Sequence, residues 1–337
     1  MRPSPTALDT AKRLLIFGGN GFVGSAVARK AVARGWKVTS ISRSGKPFRT
    51  PAGHAPAWVG EVDWRAGSAF DPSSYEPLLP SQDSVVTTLG LLFEQEYKQE
   101  GVAAPFKILK NVLENAAGSR GNPLAKGRGE RSYEKLNRDS AIALFRSFLA
   151  SRSSYTCPLT GSSSSSPSTP PRSPFVYLSA EDIFRPFVPA RYIQTKREAE
   201  EAIARLALEA QAEGQAGVRP VFVRPSLMYH PHLNPPSTLP ATLLEATSKI
   251  HSLIPPSLHL FSPSTLSSAP SSALPPAAAS LASLLAIPPI HVDAVGEAVC
   301  RAVEDGGREG VLDVRGMREM LRLGSDGAYG APEPAGH

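Results

Sequence analysis

Residues 13–46 read RLLIFGGNGFVGSAVARKAVARGWKVTSISRSGK. Two short apolar runs, RLLIFG and KVTSIS, have the length of buried parallel strands. Between them Phe22, Val23, Ala26, Val27 and Ala31 recur at helical spacing and give one buried stripe. Gly35 then stands where a helix ends on glycine. The joining loop, GGNGFVG, fits both Gly19-x-Gly21-x-x-Gly24 and Gly18-x-x-Gly21-x-x-Gly24. Such a loop turns sharply, lets backbone approach a pyrophosphate and packs helix close to sheet. The helix start offers free N–H groups and a favourable dipole to phosphates. A glycine pattern alone is weak evidence, but this one leaves a strand and opens a helix. It predicts dinucleotide binding by Gly18, Gly19, Asn20, Gly21, Phe22, Val23 and Gly24.

The second strand ends in SISRSGK. An NAD-preferring site usually places an acidic residue there for the ribose 2′-OH. Ser42, Arg43 and Ser44 instead offer donors and positive charge, with Lys46 close behind. That set suits a 2′-phosphate, so NADP(H) is expected over NAD(H).

Outward from this unit, strand and helix patterns keep alternating. A third strand is expected near AWVGEVDW and a fourth at 83–90, DSVVTTLG. A helix is expected from Asn137 to Ala150, with Ala141, Leu144, Phe145 and Phe148 on one face. PFVYLSA (174–180) reads as a fifth strand, YIQTKREAEEAIARLALEAQ as a long helix, RPVFVRPS as a sixth strand, and IHVDAVGEAVCRAVED as a turn and helix. The alternation predicts an α/β fold, a Rossmann-type doubly wound parallel sheet over 12–316 with a small, irregular C-terminal substrate region. Stretches near 118–131, 151–174 and 234–289, rich in Gly, Arg, Pro, Ser or Ala, do not belong to that scaffold. The first two read as disordered insertions, and the third as a segment able to carry short helices over the substrate side. Residues 317–337 read as a flexible tail.

At 337 residues and 41% hydrophobic, the chain can bury a large core. No apolar run is long enough for a spanning helix, though a net charge of +6 is compatible with peripheral membrane association. The basic residues are scattered, so nucleic-acid binding is not expected. Cys157 and Cys300 give neither metal spacing nor a disulfide framework. Residues 1–11 lack the apolar core of a secretory signal and, as a mitochondrial presequence, are short and weakly amphipathic.

Tyr192 and Lys196 lie one helical turn apart at the start of the long helix. A nearby ammonium lowers a phenol's pKa towards a useful range for proton transfer. Ser179 ends the fifth strand, the edge where open α/β sheets hold ligands, and could polarise a substrate carbonyl. His230 and His232 alternate without a cysteine or acidic neighbour in sequence, so no metal site is expected. His291 and Asp293 read as a loop and helix cap, with the aspartate accepting backbone N–H groups.

The ordered motifs GGNGFVG, SRS, TTLG, LNRDSA, YLSA, YxxxK, VRPSLMYHP and IHVDAVGEAV resemble the short-chain dehydrogenase/reductase superfamily, in its extended and atypical branches. The resemblance implies that Ser179, Tyr192, Lys196 and Asn137 form a catalytic set, Asn137 ordering the lysine through water. It implies that Thr88 and Gly90 lie beside the adenine ribose, that Lys196 holds the nicotinamide ribose, and that Arg224 and Pro225 border the nicotinamide. Within that branch the chain looks like fungal mitochondrial proteins associated with coenzyme Q biosynthesis, and a related group is the NAD(P)H-binding accessory subunit of respiratory complex I. The cues are W..GSAFDPSSYEPLL, TTLGLLFEQEYK, FVYLSAEDIF and YIQTKREAE. A mitochondrial location, in the matrix or on the matrix face of the inner membrane, is implied by that likeness. Two functions are carried forward. One is an NADPH-dependent reductase of a carbonyl or quinone-like small molecule supporting coenzyme Q synthesis. The other is a non-catalytic, nucleotide-binding subunit of a mitochondrial multiprotein complex. The Pro/Ser-rich insertions depart from the family, and no clear substrate-capping subdomain follows RGMREMLRLG.

Overall fold

The computed structural model describes residues 11–90, 133–153, 172–182, 190–215, 217–233 and 287–323. The segment before residue 11, the insertion at 118–131, most of 151–174 and 234–289, and the chain beyond 323 lie outside those residues.

In chain order the elements are β1 (Arg13–Phe17), α1 (Phe22–Val32), β2 (Lys37–Ser42), β3 (Val62–Ala66), β4 (Ser84–Thr87), α2 (Ser140–Ser153), β5 (Ser173–Leu178), α3 (Ala190–Ala212) and β6 (Val218–Val223). They continue with β7 (Met228–Tyr229), β8 (Ile290–His291), α4 (Val292–Glu304), β9 (Gly310–Leu312) and α5 (Val314–Leu321). Seven strands form one parallel sheet in the order β3-β2-β1-β4-β5-β6-β9, and β7 pairs with β8 separately. The order reverses between β1 and β4, which makes their carboxyl ends the ligand crevice of a doubly wound sheet.

Alternation along the strands builds a core on each face. Leu14, Ile16, Val176, Leu178, Val221 and Val223 pack under α1 and α4. Leu15, Phe17, Phe175, Tyr177 and Phe222 pack under α2 and α3. Phe145 and Phe148 of α2 close on Phe175, with ring centroids 5.2 and 6.4 Å apart. On the opposite face α1 and α4 approach so closely that a Cβ on Gly296 would lie 2.8 Å from the Ala26 carbonyl carbon. Arg29 pairs with Asp293, and Arg34 donates to Glu297 at 2.5 Å and Glu304 at 3.1 Å across the same contact. Arg219, buried in β6, donates to Ala302 and Val303 carbonyls at 3.0 and 3.1 Å and to Arg308 O, tying the end of α4 to the sheet.

Several local features differ from the sequence pattern. AWVGEVDW divides into a 3-10 turn, Ala57–Glu61, and the strand Val62–Ala66. The expected helix from Asn137 begins as a π-helical turn, Glu134–Asp139, before α2. α5 runs past 316, where a tail was expected, because Met317 is buried in the core. At α4 the cap is His291, whose Nδ1 accepts from Asp293 N at 3.2 Å, so Asp293 sits in the first turn instead. Among the described residues no helix is long and apolar enough to cross a membrane.

Candidate nucleotide-binding and active site

The glycine loop leaves β1 with Gly18 at φ +88, a left-handed conformation that glycine adopts without strain. Gly21 N donates to Gly18 O at 2.9 Å, closing the turn. A Cβ on Gly24 would fall 2.1 Å from Gly18 O and 2.7 Å from Gly19 Cα, so the helix starts against the loop's own backbone. Thr88 Oγ1 donates to Phe17 O at 3.0 Å and Gly18 O at 3.3 Å, pinning the loop to the end of β4. No side chain caps the start of α1, and its first turn carries no acidic residue. Open N–H groups, a helix dipole and backbone bare of side chains fit the pyrophosphate of a dinucleotide.

Asn20 Nδ2 donates to Lys46 O at 3.3 Å and so joins this loop to the one after β2. Arg43, Ser44 and Lys46 are exposed, and Lys46 N donates to Ser44 Oγ at 3.3 Å. Ser42 Oγ is shut off from solvent without a protein partner. The positive charges expected to meet a 2′-phosphate therefore flank the crevice at its β2 side.

Lys196 is buried against the ends of β4 and β5. Its Nζ donates to Leu178 O at 2.8 Å and Leu89 O at 3.2 Å, and lies 4.6 Å from the Tyr177 ring centroid. Burial pushes its pKa down to about 7, and the charge of Glu200 opposes that fall. A Cβ on Gly90 would come within 3.1 Å of Nζ and 3.3 Å of Asn137 Oδ1. Asn137, fully buried in the π turn, donates to Thr195 Oγ1 at 3.4 Å, and its carbonyl accepts from Tyr177 Oη at 2.6 Å. Single π turns recur at functional positions because they re-aim side chains. Thr88, Gly90, Asn137 and Lys196 thus converge.

Tyr192 is buried beside Tyr133, the two ring centroids 6.0 Å apart, in a small cluster with Ile193 and Ala180. Burial is the main cause that raises its pKa, with Tyr133 adding to it. Ser179 follows β5 and meets α3. It is 2% exposed, and its Oγ accepts from Arg197 Nη1 at 3.1 Å. Arg197 Nη2 donates to Ala180 O at 2.8 Å, and Nη1 donates to Glu200 at 2.7 Å. Glu200, itself buried, also accepts from Arg224 Nε at 3.1 Å. Arg224 and Pro225 therefore lie in a lock between the segments that follow β5 and β6, where Glu181 N donates to Pro225 O at 2.9 Å. Ser179 Oγ and Ala180 O thus both meet Arg197. The sequence reading missed this lock, although Arg197 and Glu200 at i, i+3 carry its signal.

His230, His291 and Asp293 bring three polar atoms within 4.8 Å of one another. His230 Nδ1 accepts from His232 N and Leu233 N at 3.1 Å, and His291 Nδ1 accepts from Asp293 N. Each neutral ring then carries its proton on Nε2 and has no lone pair there, while Asp293 pairs with Arg29. The trio forms a helix cap and a ring stack. Burial lowers the pKa of both histidines. Their neutral forms are favoured on folding, so the stability they contribute is full above the unfolded value near ~6.5 and falls as pH drops below it. Thermal melts from pH 7.5 to 5.5 should show this loss. His291→Asn, which caps without titrating, should show a smaller one.

No family model matches the chain. Over 223 residues, 66% of this chain and 74% of the other, it is 37% identical to MIOREX complex component 2 of Saccharomyces cerevisiae. A short-chain dehydrogenase/reductase family oxidoreductase from Burkholderia thailandensis superposes with a TM-score of 0.51 at 16% identity, covering 90% of this chain and 91% of that one. A 3-oxoacyl-[acyl-carrier protein] reductase from Brucella melitensis, solved in complex with NAD, gives a TM-score of 0.51 at 12% identity, with 93% and 99% covered. At such identities the likeness carries the fold alone. With its seven-stranded parallel sheet and glycine loop, the chain belongs to the family of MIOREX complex component 2, built on the fold of the short-chain dehydrogenases/reductases.

Proposed function

We propose that the chain is a nicotinamide-dinucleotide-binding component of a mitochondrial multiprotein complex, and that it holds the nucleotide, NADP(H) over NAD(H), as a structural or regulatory ligand. The observation that carries this reading is the orientation of the two residues after β5. Ser179 Oγ and Ala180 O both accept from the Arg197 guanidinium, so the serine's oxygen is engaged in a structural contact with α3. Gly18 to Gly24 would hold the pyrophosphate, Arg43 and Ser44 the 2′-phosphate, and Thr88, Gly90 and Lys196 the sugars. The nicotinamide ring, when bound, is a hydride donor. The protein around it is arranged for retention, since Lys196 Nζ is tied to the Leu89 and Leu178 carbonyls. The naming of the yeast relative as a complex component supports the assembly role and a mitochondrial location.

One observation favours a second reading, reduction of a carbonyl or quinone-like compound in coenzyme Q synthesis. Tyr192 and Lys196 are both buried on one turn of α3, beside the crevice. A single variant separates the two. Tyr192→Phe removes the proton donor and retains the packing, so holding predicts full rescue of cells that lack the protein and NADPH affinity within about twofold of the parent. A variant that folds and binds NADPH but fails to rescue would establish the reductase.

A further inference from the structure

His230 and His291 stack at the end of the short sheet formed by β7 and β8, between the exit from β6 and the start of α4. Their ring centroids are 4.8 Å apart and tilted by 42°, and Tyr229 meets His291 edge-on at 5.3 Å. Upstream, the two segments are tied by bonds that do not titrate. Ser226 Oγ donates to Pro288 O at 2.7 Å, and Ile290 N donates to Leu227 O at 3.0 Å. Beyond Tyr229 the contact runs through the two imidazoles.

Three backbone N–H groups end on imidazole nitrogens. His230 Nδ1 accepts from His232 N and Leu233 N, each at 3.1 Å, and so closes the turn after β7. His291 Nδ1 accepts from Asp293 N at 3.2 Å and so caps α4. An imidazolium carries protons on both nitrogens and accepts nothing. Protonating either ring therefore turns an acceptor into a donor aimed at N–H groups, and the turn or the cap loses its bonds. Two stacked imidazolium ions at this spacing also repel each other.

The charged groups around the pair act in both directions. Arg29 of α1 disfavours a positive charge on either ring, Lys30 disfavours one on His291, and His232, its ring centroid 5.9 Å from that of His230, disfavours one there. The Asp293 carboxylate favours such a charge, with Oδ2 3.8 Å from His291 Nδ1, but Arg29 already pairs with its other oxygen. Burial is the largest influence on both rings and disfavours the charge. Closed, both rings hold their pKa below the free value of about 6.5; open and solvated, they return to it. Closure is therefore strongest above that value and weakens as pH falls through it.

We infer that His230 and His291 form a proton-operated latch, which closes the turn after β7 onto the start of α4 at neutral pH and opens as one unit in mild acid. The two rings cover each other, so a swing of His230 exposes His291 to water and frees it to take a proton. The Ser226 and Ile290 bonds confine the opening to residues 230–233 and the first turn of α4. An imidazolium at His291 also competes with Arg29 for Asp293, and so reaches the tie between α4 and α1. The device gives the chain a response to acid that is separate from global unfolding.

The test is amide hydrogen exchange by NMR on the full-length free protein at pH 7.5 and 5.5, compared as protection factors, which remove the intrinsic pH dependence of exchange. Each histidine should contribute about tenfold over this range, so protection at His232, Leu233 and Asp293 should fall about a hundredfold together. All three amides should stay less protected than Phe222 in β6 at both pH values, since local opening precedes global unfolding. Asparagine accepts from the same N–H groups without titrating. His230→Asn should therefore cut the fall at Asp293 to about tenfold, and His291→Asn should do the same at Leu233. Two separate caps would leave each fall untouched by the distant variant. That result overturns the latch, as does protection that ignores pH or equals that of Phe222. Should one variant not fold, the reciprocal one decides. The readout needs no nucleotide, so failure of NADPH to bind would refute the proposed function and leave the latch intact.

Discussion

Gly24→Ala should abolish useful nucleotide binding. The added Cβ would stand 2.1 Å from Gly18 O and 2.7 Å from Gly18 C, and both obstacles are backbone. No rotamer relieves a backbone clash, so either the loop or the start of α1 has to move. Moving it misplaces the N–H groups that face the pyrophosphate, and NADPH affinity should fall at least about a hundredfold, or ~2.7 kcal/mol. Crowding in a packed region should also cost about 2 kcal/mol of stability, read from urea unfolding. Gly60→Ala is the matched control, since a Cβ there meets nothing within 4 Å. A Gly24→Ala protein that binds NADPH like the parent would remove the cradle from the account.

Glu200→Ala should be the most damaging change outside the loop. Its carboxylate is buried between Arg197 and Arg224, so removal leaves two guanidinium groups without their counter-charge. Breaking a buried ion pair by deleting one partner costs roughly 3–5 kcal/mol. Arg197 would also lose the anchor that lets it hold Ser179 and Ala180, and Arg224 its tie to the segment after β6. The loss should appear in urea unfolding, while the NADPH affinity of the folded fraction stays within about threefold, because α1 lies across the sheet. A large drop in affinity with little loss of stability would place Glu200 in the nucleotide site.

The fold was legible because its periods are strong. Leu14 to Phe17 and Phe175 to Leu178 alternate between two buried faces, and the glycine loop sits at the β1–β4 reversal. The glycine loop's geometry was legible for the same reason, since its glycines answer to local backbone demands. The chemistry was not. Which partner Ser179 takes depends on where the chain turns after β5, and the Arg197–Glu200–Arg224 lock holds that turn from two other elements. Residue types and one-turn spacing place Tyr192 and Lys196 on one helix face. They do not reveal that burial raises the tyrosine's pKa, or that the lysine's donors are taken by Leu178 and Leu89. His291 as the cap of α4 was missed because Asp is the commoner capping residue and stands only two positions on.

The close crossing at Gly296 has a consequence for how the chain can be divided. α1, whose first turn presents the anion cradle, leans on a helix encoded about 270 positions later, with Ala26 and Gly296 in backbone contact and Asp293 and Glu297 holding Arg29 and Arg34. The cradle is therefore not a separable N-terminal module. Any fragment that stops before α4 leaves one side of α1, including Val27 and Ala31, open to water. Nucleotide binding and completion of the C-terminal third are thermodynamically linked: whatever stabilises one raises the population of the other.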